Sequence, residues 1–288
     1  MRGNWSGKNL SLNLFLFALS MLGGLSAFSQ EESVKPSGEL ILVNQGISAI
    51  SNEVLESDNI TYLDLSMNAF EDELFNFPVL KDVRHLSLSY SKIRSLPRGV
   101  FLFENLERLY LEKNELVSVP CWLDSMDNLK ILSLRGNKIS GFSKCLRFAN
   151  ITDLDLSANR LTQAPRIKGN GVLKHLYLDD NEIRSIHFVS TALSGLVTFS
   201  ASGNKIEEVC FNPDVLTNLR SIDLSGNKLK TLPEEIFELQ SIRMVDVSGN
   251  KLCAQEKTRL KELSDAKKVK LILGDKADPV SNFPLKRY

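Results

Sequence analysis

The chain has 288 residues, 43% of them hydrophobic, and carries 35 basic side chains against 35 acidic ones. That balance leaves no electrostatic footprint for nucleic acid, while the apolar share is enough for a large core. Four cysteines without C-x-x-C spacing and three histidines argue against a zinc site and offer little acid–base chemistry.

Residues 1–29 read as a secretory signal peptide. Arg2 and Lys8 form a positive start, Leu10 to Leu25 is mostly apolar, and Ala27-Phe28-Ser29 offers small residues for cleavage. An N-terminal membrane anchor is the alternative, although an apolar stretch interrupted by Asn13 and Ser20 is short for a span. Removing the leader leaves 33 bases against 35 acids. No later segment is long and apolar enough to cross a membrane. The mature chain is therefore expected to be exported, to periplasm, cell surface or medium, with no transmembrane span.

From residue 30 to 252 one spaced pattern recurs. In Leu63-Asp64-Leu65-Ser66-Met67-Asn68-Ala69-Phe70 the positions follow L-x-L-x-x-N-x-L. The marker returns at Asn114, Asn137, Asn159, Asn181, Asn204, Asn227 and Asn250, with Ser91 in the same slot and Gln45 in a degenerate first copy. Successive markers stand 22 or 23 residues apart. A fixed period of that size means a solenoid, about ten units that bury their apolar faces only by stacking. In each unit the alternation Leu-x-Leu is a strand with one face inward. The Asn stands where the chain turns away, and its amide both donates and accepts, so a ladder of stacked Asn side chains satisfies successive turns.

The return path is read from Leu232-Pro233-Glu234-Glu235-Ile236-Phe237-Glu238-Leu239, with Leu96-Pro97, Val119-Pro120 and Ala164-Pro165 repeating the Pro placement. Proline fits where a strand has ended, and a short helical or 3₁₀ turn follows it. The unit at Asn159 is one residue shorter and Gly-rich, so a plain loop is expected there. Residues 253–274 suit a closing cap: a helical spacing of Leu260, Leu263 and Ala266, then an alternating strand at Val269 to Leu273. Residues 275–288 form a tail. The fold class is thus an α/β solenoid, a horseshoe with a parallel concave β-sheet and a convex side of short helical, 3₁₀ or loop segments.

Over roughly Gly38 to Leu252 this pattern resembles the leucine-rich repeat family, in its 22–23-residue bacterial and plant subtype. The leader end Ala27-Phe28-Ser29-Gln30-Glu31-Glu32 is similar to that of exported Bacteroidetes proteins. Cysteine-flanked caps common in animal extracellular members are missing, which argues against an animal receptor or matrix origin. The resemblance implies a non-catalytic binding protein whose concave face holds the partner: a protein, a peptide or a surface glycan. It also implies a monomer without cofactor.

Large side chains gather on the outward strand positions of the first two thirds. Tyr62, His85, Tyr90, Arg108, Tyr110, Glu112, Arg135, Asp153, Asp155, His175, Tyr177 and Asp179 make up the candidate partner-binding surface. Tyr and Arg are over-represented among binding hot spots, though a solvated sheet with cross-strand pairs such as Asp153 and His175 explains the same residues. Asp153, Asp155, Asp179 and Asp180 form an acidic patch that either holds Ca²⁺ or a basic partner side chain or is simply solvated. A basic stripe, Lys92, Lys138, Arg160, Lys205, Lys228 and Lys251, reads as solubilising edge charge. Cys121 and Cys145 follow their marker Asn by seven and eight residues and are open to a disulfide, but spacing alone fixes no bridge geometry. The expectation for all four cysteines is buried, small, apolar side chains. Two further functions are weighed. A hydrolase drawn from Asp153, His175 and a serine lacks a pocket on a flat ladder, and an intracellular scaffold of the phosphatase-binding kind conflicts with the leader.

Overall fold

The computed structural model describes residues 38–47, 59–70, 80–168, 171–188 and 190–274. The expected leader at 1–29 and tail at 275–288 lie outside these described residues.

Eleven strands form one parallel sheet. In chain order they are β1 (Glu39–Ile41), β2 (Tyr62–Asp64), β3 (His85–Ser87), β4 (Arg108–Tyr110), β5 (Ile131–Ser133), β6 (Asp153–Asp155) and β7 (His175–Tyr177), followed by β9 (Thr198–Ser200), β11 (Ser221–Asp223), β12 (Met244–Asp246) and β13 (Lys270–Ile272). Each pairs with the strand one repeat away at constant register, Leu63 opposite Leu86 and Leu86 opposite Leu109. The central residue of each strand enters the core. Leu63, Leu86, Leu109, Leu132 and Leu154 have no exposed surface, and Phe199, Ile222 and Val245 replace leucine at the same depth. Burying each such side chain contributes about 1.5–3 kcal/mol.

Beyond each strand the chain turns inward, and the marker Asn holds that turn. Asn114 Oδ1 accepts from the Ser91 and Ile93 amides at 2.9 and 3.1 Å. Its Nδ2 donates to Leu88 O in the preceding repeat and Leu111 O in its own. Asn137 takes up the same Leu111 carbonyl at 2.9 Å, so one repeat's amide begins where the last one's ends. Asn68, Asn159, Asn181, Asn204, Asn227 and Asn250 repeat the donation to both carbonyls. Ser91 is too short to span two repeats, and its hydroxyl bonds Ser89 O instead.

The residue before each marker takes a left-handed conformation, from Asn44 (φ 55) through Met67, Tyr90, Lys113, Ala158 and Asp180 to Gly203, Gly226 and Gly249. At Gly203 a Cβ would come within 2.5 Å of Asp180 Oδ1, so glycine there answers a close approach as well as the positive φ.

On the return side, 3₁₀ turns at Arg98–Leu102, Cys121–Ser125 and Glu234–Glu238 start directly after Pro97, Pro120 and Pro233. A fourth, Thr191–Leu193, starts after Ser190, whose hydroxyl accepts from the Ala192 amide. In two successive units the proline slot holds His187 and Cys210. There β8 (Ser185–Phe188) and β10 (Glu208–Phe211) pair in parallel as a second, two-stranded sheet that the sequence reading did not foresee.

The cysteine expectation needs correcting. Cys121 and Cys145 are exposed and joined as a disulfide between adjacent arcs, with Cα atoms 5.6 Å apart. Asp124 ties the same arcs by accepting from the Arg147 and Phe148 amides at 2.6 and 2.8 Å. Cys210 is half-buried and Cys253 exposed, so none of the four is a buried core residue.

The C-terminal end is closed by helix α1 (Ala254–Lys267) and β13. Leu260 is fully buried beneath the helix. Glu256 accepts from the Leu232 amide at 3.0 Å, and Arg259, bonded to Glu256 at 2.7 Å, donates to the Leu232 carbonyl at 2.7 Å. These two side chains thus supply the backbone partners that a further repeat would have given Leu232.

Candidate functional site: the concave face

Residues flanking the buried centre of each strand project from the sheet. On β2–β4 these are Tyr62, Asp64, His85, Arg108 and Tyr110, all half-buried, and the buried Ser87. The Tyr62 and His85 rings meet edge to face with centroids 6.0 Å apart. Burial, and then the negative charge of Asp64, raises the Tyr62 hydroxyl above its ordinary value. Burial lowers the His85 imidazole, helped by the Arg108 guanidinium beside it in register. Near neutral pH the patch therefore presents neutral rings with the Arg108 guanidinium and the Asp64 carboxylate beside them.

The next strand, β5, offers only Ile131 and the buried Ser133 on this face. Ser133 donates to Glu112 Oε1 at 2.9 Å, which fixes Glu112 against the sheet. Beyond it lie Asp153, Asp155, His175 and Tyr177. His175 Nε2 stands 3.9 Å from Asp153, while its Nδ1 is buried with no hydrogen-bond partner. Asp155 accepts from the Ser157 amide at 2.8 Å. Burial raises its carboxyl, and the Ser157 bonds and the Arg135 charge oppose that rise. Eight of the twelve sequence candidates thus fall into an aromatic–cationic group on β2–β4 and an acidic–aromatic group on β6–β7, while Glu112, Arg135 and Asp179 lie two residues beyond β4, β5 and β7. Tyr90 joins neither: it occupies the left-handed turn position beyond β3 and is exposed.

Asp179 reaches forward into the following repeat. Its Oδ1 accepts from the Ser200 hydroxyl and from the Ser202 amide and hydroxyl, the last two at 2.8 Å. One carboxylate so satisfies three donors of the next unit. Asp223 and Asp246 also lie on this face and are not among the sequence candidates. The two stand opposite each other on β11 and β12, at 3% and 5% exposure. Burial is the main cause that lifts the Asp223 carboxyl to about 6, and the charges of Asp246 and Asp179 add to it. The signal for both was the string Asp-apolar-Ser, in which the carboxylate accepts from the Ser amide two residues on, at 2.9 Å in each case.

Among the described residues no hydrogen bond joins a serine hydroxyl to His85 or His175. Among the described residues no group of three or more His, Cys, Asp or Glu could hold a metal ion, and no helix is long and apolar enough to cross a membrane.

Comparison with known proteins matches models described as leucine rich repeat at residues 81–139 and 104–161, and again at 218–239. Keratocan of Mus musculus is 31% identical over 157 residues, which cover 52% of this chain and 44% of keratocan. Osteomodulin of Bos taurus is 31% identical over 134 residues, covering 45% and 31%. Fibromodulin of Bos taurus is 32% identical over 144 residues, covering 48% and 37%. The chain therefore spans less than half the length of these curated relatives. Among solved structures, the TLR13–ssRNA13 complex aligns over 74% of this chain and 31% of the matched one, with TM-score 0.61 and 24% identity. The Toll–Spatzle complex of Drosophila aligns over 72% and 34%, with TM-score 0.56 and 23% identity. At that identity the likeness concerns the fold, and it agrees with the parallel ladder and the Asn-held turns: the chain has the fold of a leucine-rich repeat solenoid.

Proposed function

We propose that the protein is an exported, non-catalytic binding module that holds a protein, peptide or surface glycan on its concave sheet. The observation that carries this reading is the run of Tyr62, His85, Arg108 and Tyr110 in register on three adjacent strands. These are the residue types that anchor interfaces, set on a rigid ladder at ~4.8 Å per strand. Eleven strands give a surface about 45–50 Å long, room for the ~800 Å² that a stable partner covers. The curated relatives support a repeat protein that binds rather than catalyses, and the leader-like start supports export.

The test is affinity. A partner is recovered by cross-linking from culture supernatant or cell envelope, and its Kd is measured against Tyr62→Ala plus Tyr110→Ala. The paired variant is expected to weaken binding at least tenfold, while Lys230→Ala on the return side leaves it unchanged. Equal affinity for all three proteins would remove the concave site. An intact N-terminus recovered from the cytosol would remove export.

A further inference from the structure

We infer that the β11–β12 end of the concave sheet receives an arginine side chain of a polypeptide partner, its guanidinium held between Asp223 and Asp246. This rests on the concave sheet being the binding face. Three observations support it. First, the two carboxylates stand directly opposite each other on neighbouring strands, and the half-buried Asp179, beyond β7 on the far side of β9, adds its charge to Asp223. Like charges so close need a counter-charge, yet no ion pair of the described residues includes Asp179, Asp223 or Asp246. The raised Asp223 carboxyl is the expected mark of a desolvated acid whose cation is not supplied from within.

Second, Ser248 is 1% exposed and its hydroxyl has no hydrogen-bond partner. It lies two residues beyond Asp246, and its amide donates to that carboxylate. The equivalent Ser225 hydroxyl is spent on Asp223. The Ser248 oxygen is thus an acceptor beside the carboxylates with nothing to accept.

Third, the geometry selects the cation. A metal ion wants six or more converging oxygens, and no group suited to a metal exists among the described residues. A planar fork of five N–H donors bridges two carboxylates one ladder step apart, ~4.8 Å, and leaves a donor for a hydroxyl. The outward residues Thr198, Ser200 and Ser221 on the β9 side are small, while Met244 stands opposite Ser221 and Ile272 opposite Asp246, so the space beside the pair opens toward β9.

The experiment titrates the full-length protein with the blocked peptide Gly-Ser-Gly-Arg-Gly-Ser-Gly and watches the Ser225 and Ser248 amides by NMR. Counterpart peptides carry lysine or the neutral isostere citrulline. At pH 7.5 the arginine peptide is expected to bind at least tenfold more tightly than the citrulline peptide and about threefold more tightly than the lysine one. Asp223→Asn plus Asp246→Asn, which keeps an acceptor for both serine amides, should lower affinity at least tenfold with the melting temperature unchanged or raised. Ser248→Ala should lower it about threefold, and affinity should fall below pH 6. Equal binding of the arginine and citrulline peptides, equal binding of the lysine peptide, unchanged affinity in the double variant, or displacement by 1 mM Ca²⁺ would each overturn the assignment. The two ideas fail separately. If the peptide does not bind but Tyr62→Ala plus Tyr110→Ala weakens the natural partner, the arginine slot falls and the concave reading stands. The opposite pattern removes the tyrosine anchor and keeps the slot.

Discussion

Asp223 shows how a repeat position changes meaning with its neighbours. Asp64, Asp155, Asp223 and Asp246 all accept from the backbone amide two residues on, a local bond that any Asp in the slot makes. That much was legible, because the slot sits one residue past a buried apolar centre. Depth was not, since it depends on what surrounds each slot: Asp223 lies deep between Ser200 and Asp246, whereas Asp64, between Ile41 and Ser87, is only half-buried. At Asp223 burial lifts the carboxyl from 3.8 to about 6. The folded state therefore holds its proton more tightly than the unfolded chain does. Its contribution is fully present below about pH 4 and is lost as pH rises to about 6, after which no further loss follows. By linkage the ionised residue costs up to about 3 kcal/mol. Asp223→Asn should thus raise unfolding free energy at pH 7.5 by about 1–3 kcal/mol and change it little at pH 4. Denaturant titrations at the two pH values test this. A gain of equal size at both would mean that packing, not charge, distinguishes the variant.

At the scale of the element, the strands and Asn turns were readable because each requires a fixed residue type at a fixed interval. The arcs on the other side were readable only where proline marked them. Pro97, Pro120 and Pro233 remove the N–H that a ladder needs, and a 3₁₀ turn follows each. His187 and Cys210 restore that N–H in consecutive units, so β8 and β10 pair. The alternations Ile186-His187-Phe188 and Val209-Cys210-Phe211 were the available signal. Likewise the disulfide followed from the meeting of two adjacent arcs, which spacing alone does not give.

The cap makes the strongest element-scale prediction. Hydrogen bonding to Arg259 is the main reason that the Glu256 carboxyl lies below its ordinary value. The stability it adds is present above about pH 4.5 and is lost as pH falls through the lower folded value. Glu256→Ala leaves the Leu232 amide unpaired and frees Arg259 from its anchor, at a cost of about 1–3 kcal/mol. Hydrogen exchange should locate that loss in α1 and β13, with the amides of β5 untouched. Equal acceleration throughout would show that helix and repeats open together.

For the whole molecule, each repeat touches its neighbours along one axis, so stability is a sum of unit and interface contributions. The two ends differ in what closes them. At the C-terminal end Glu256 and Arg259 satisfy the last arc and β13 pairs with β12. At the other end β1 pairs among the described strands with β2 alone, and Ile41 is 44% exposed. Gln45 stands in the marker slot, and its Nε2 reaches Val43 O at 3.3 Å in place of a second repeat. In the middle, the bridge from Cys121 to Cys145 and the bonds of Asp124 bind two arcs beyond the ladder itself. A one-dimensional stack with an unevenly tied axis opens from its looser end. The Leu42 amide, bonded to Asp64 O at 2.8 Å, should therefore exchange at least tenfold faster than the Leu134 amide, bonded to Asp155 O at the same distance. Reducing the disulfide should narrow that gap by speeding exchange at Leu134, because the arcs it joins belong to the β4 and β5 repeats. Native-state exchange measured with and without reductant decides the matter. Equal protection at Leu42 and Leu134 would mean that the solenoid unfolds as one cooperative body, and the additive picture of its repeats would be wrong.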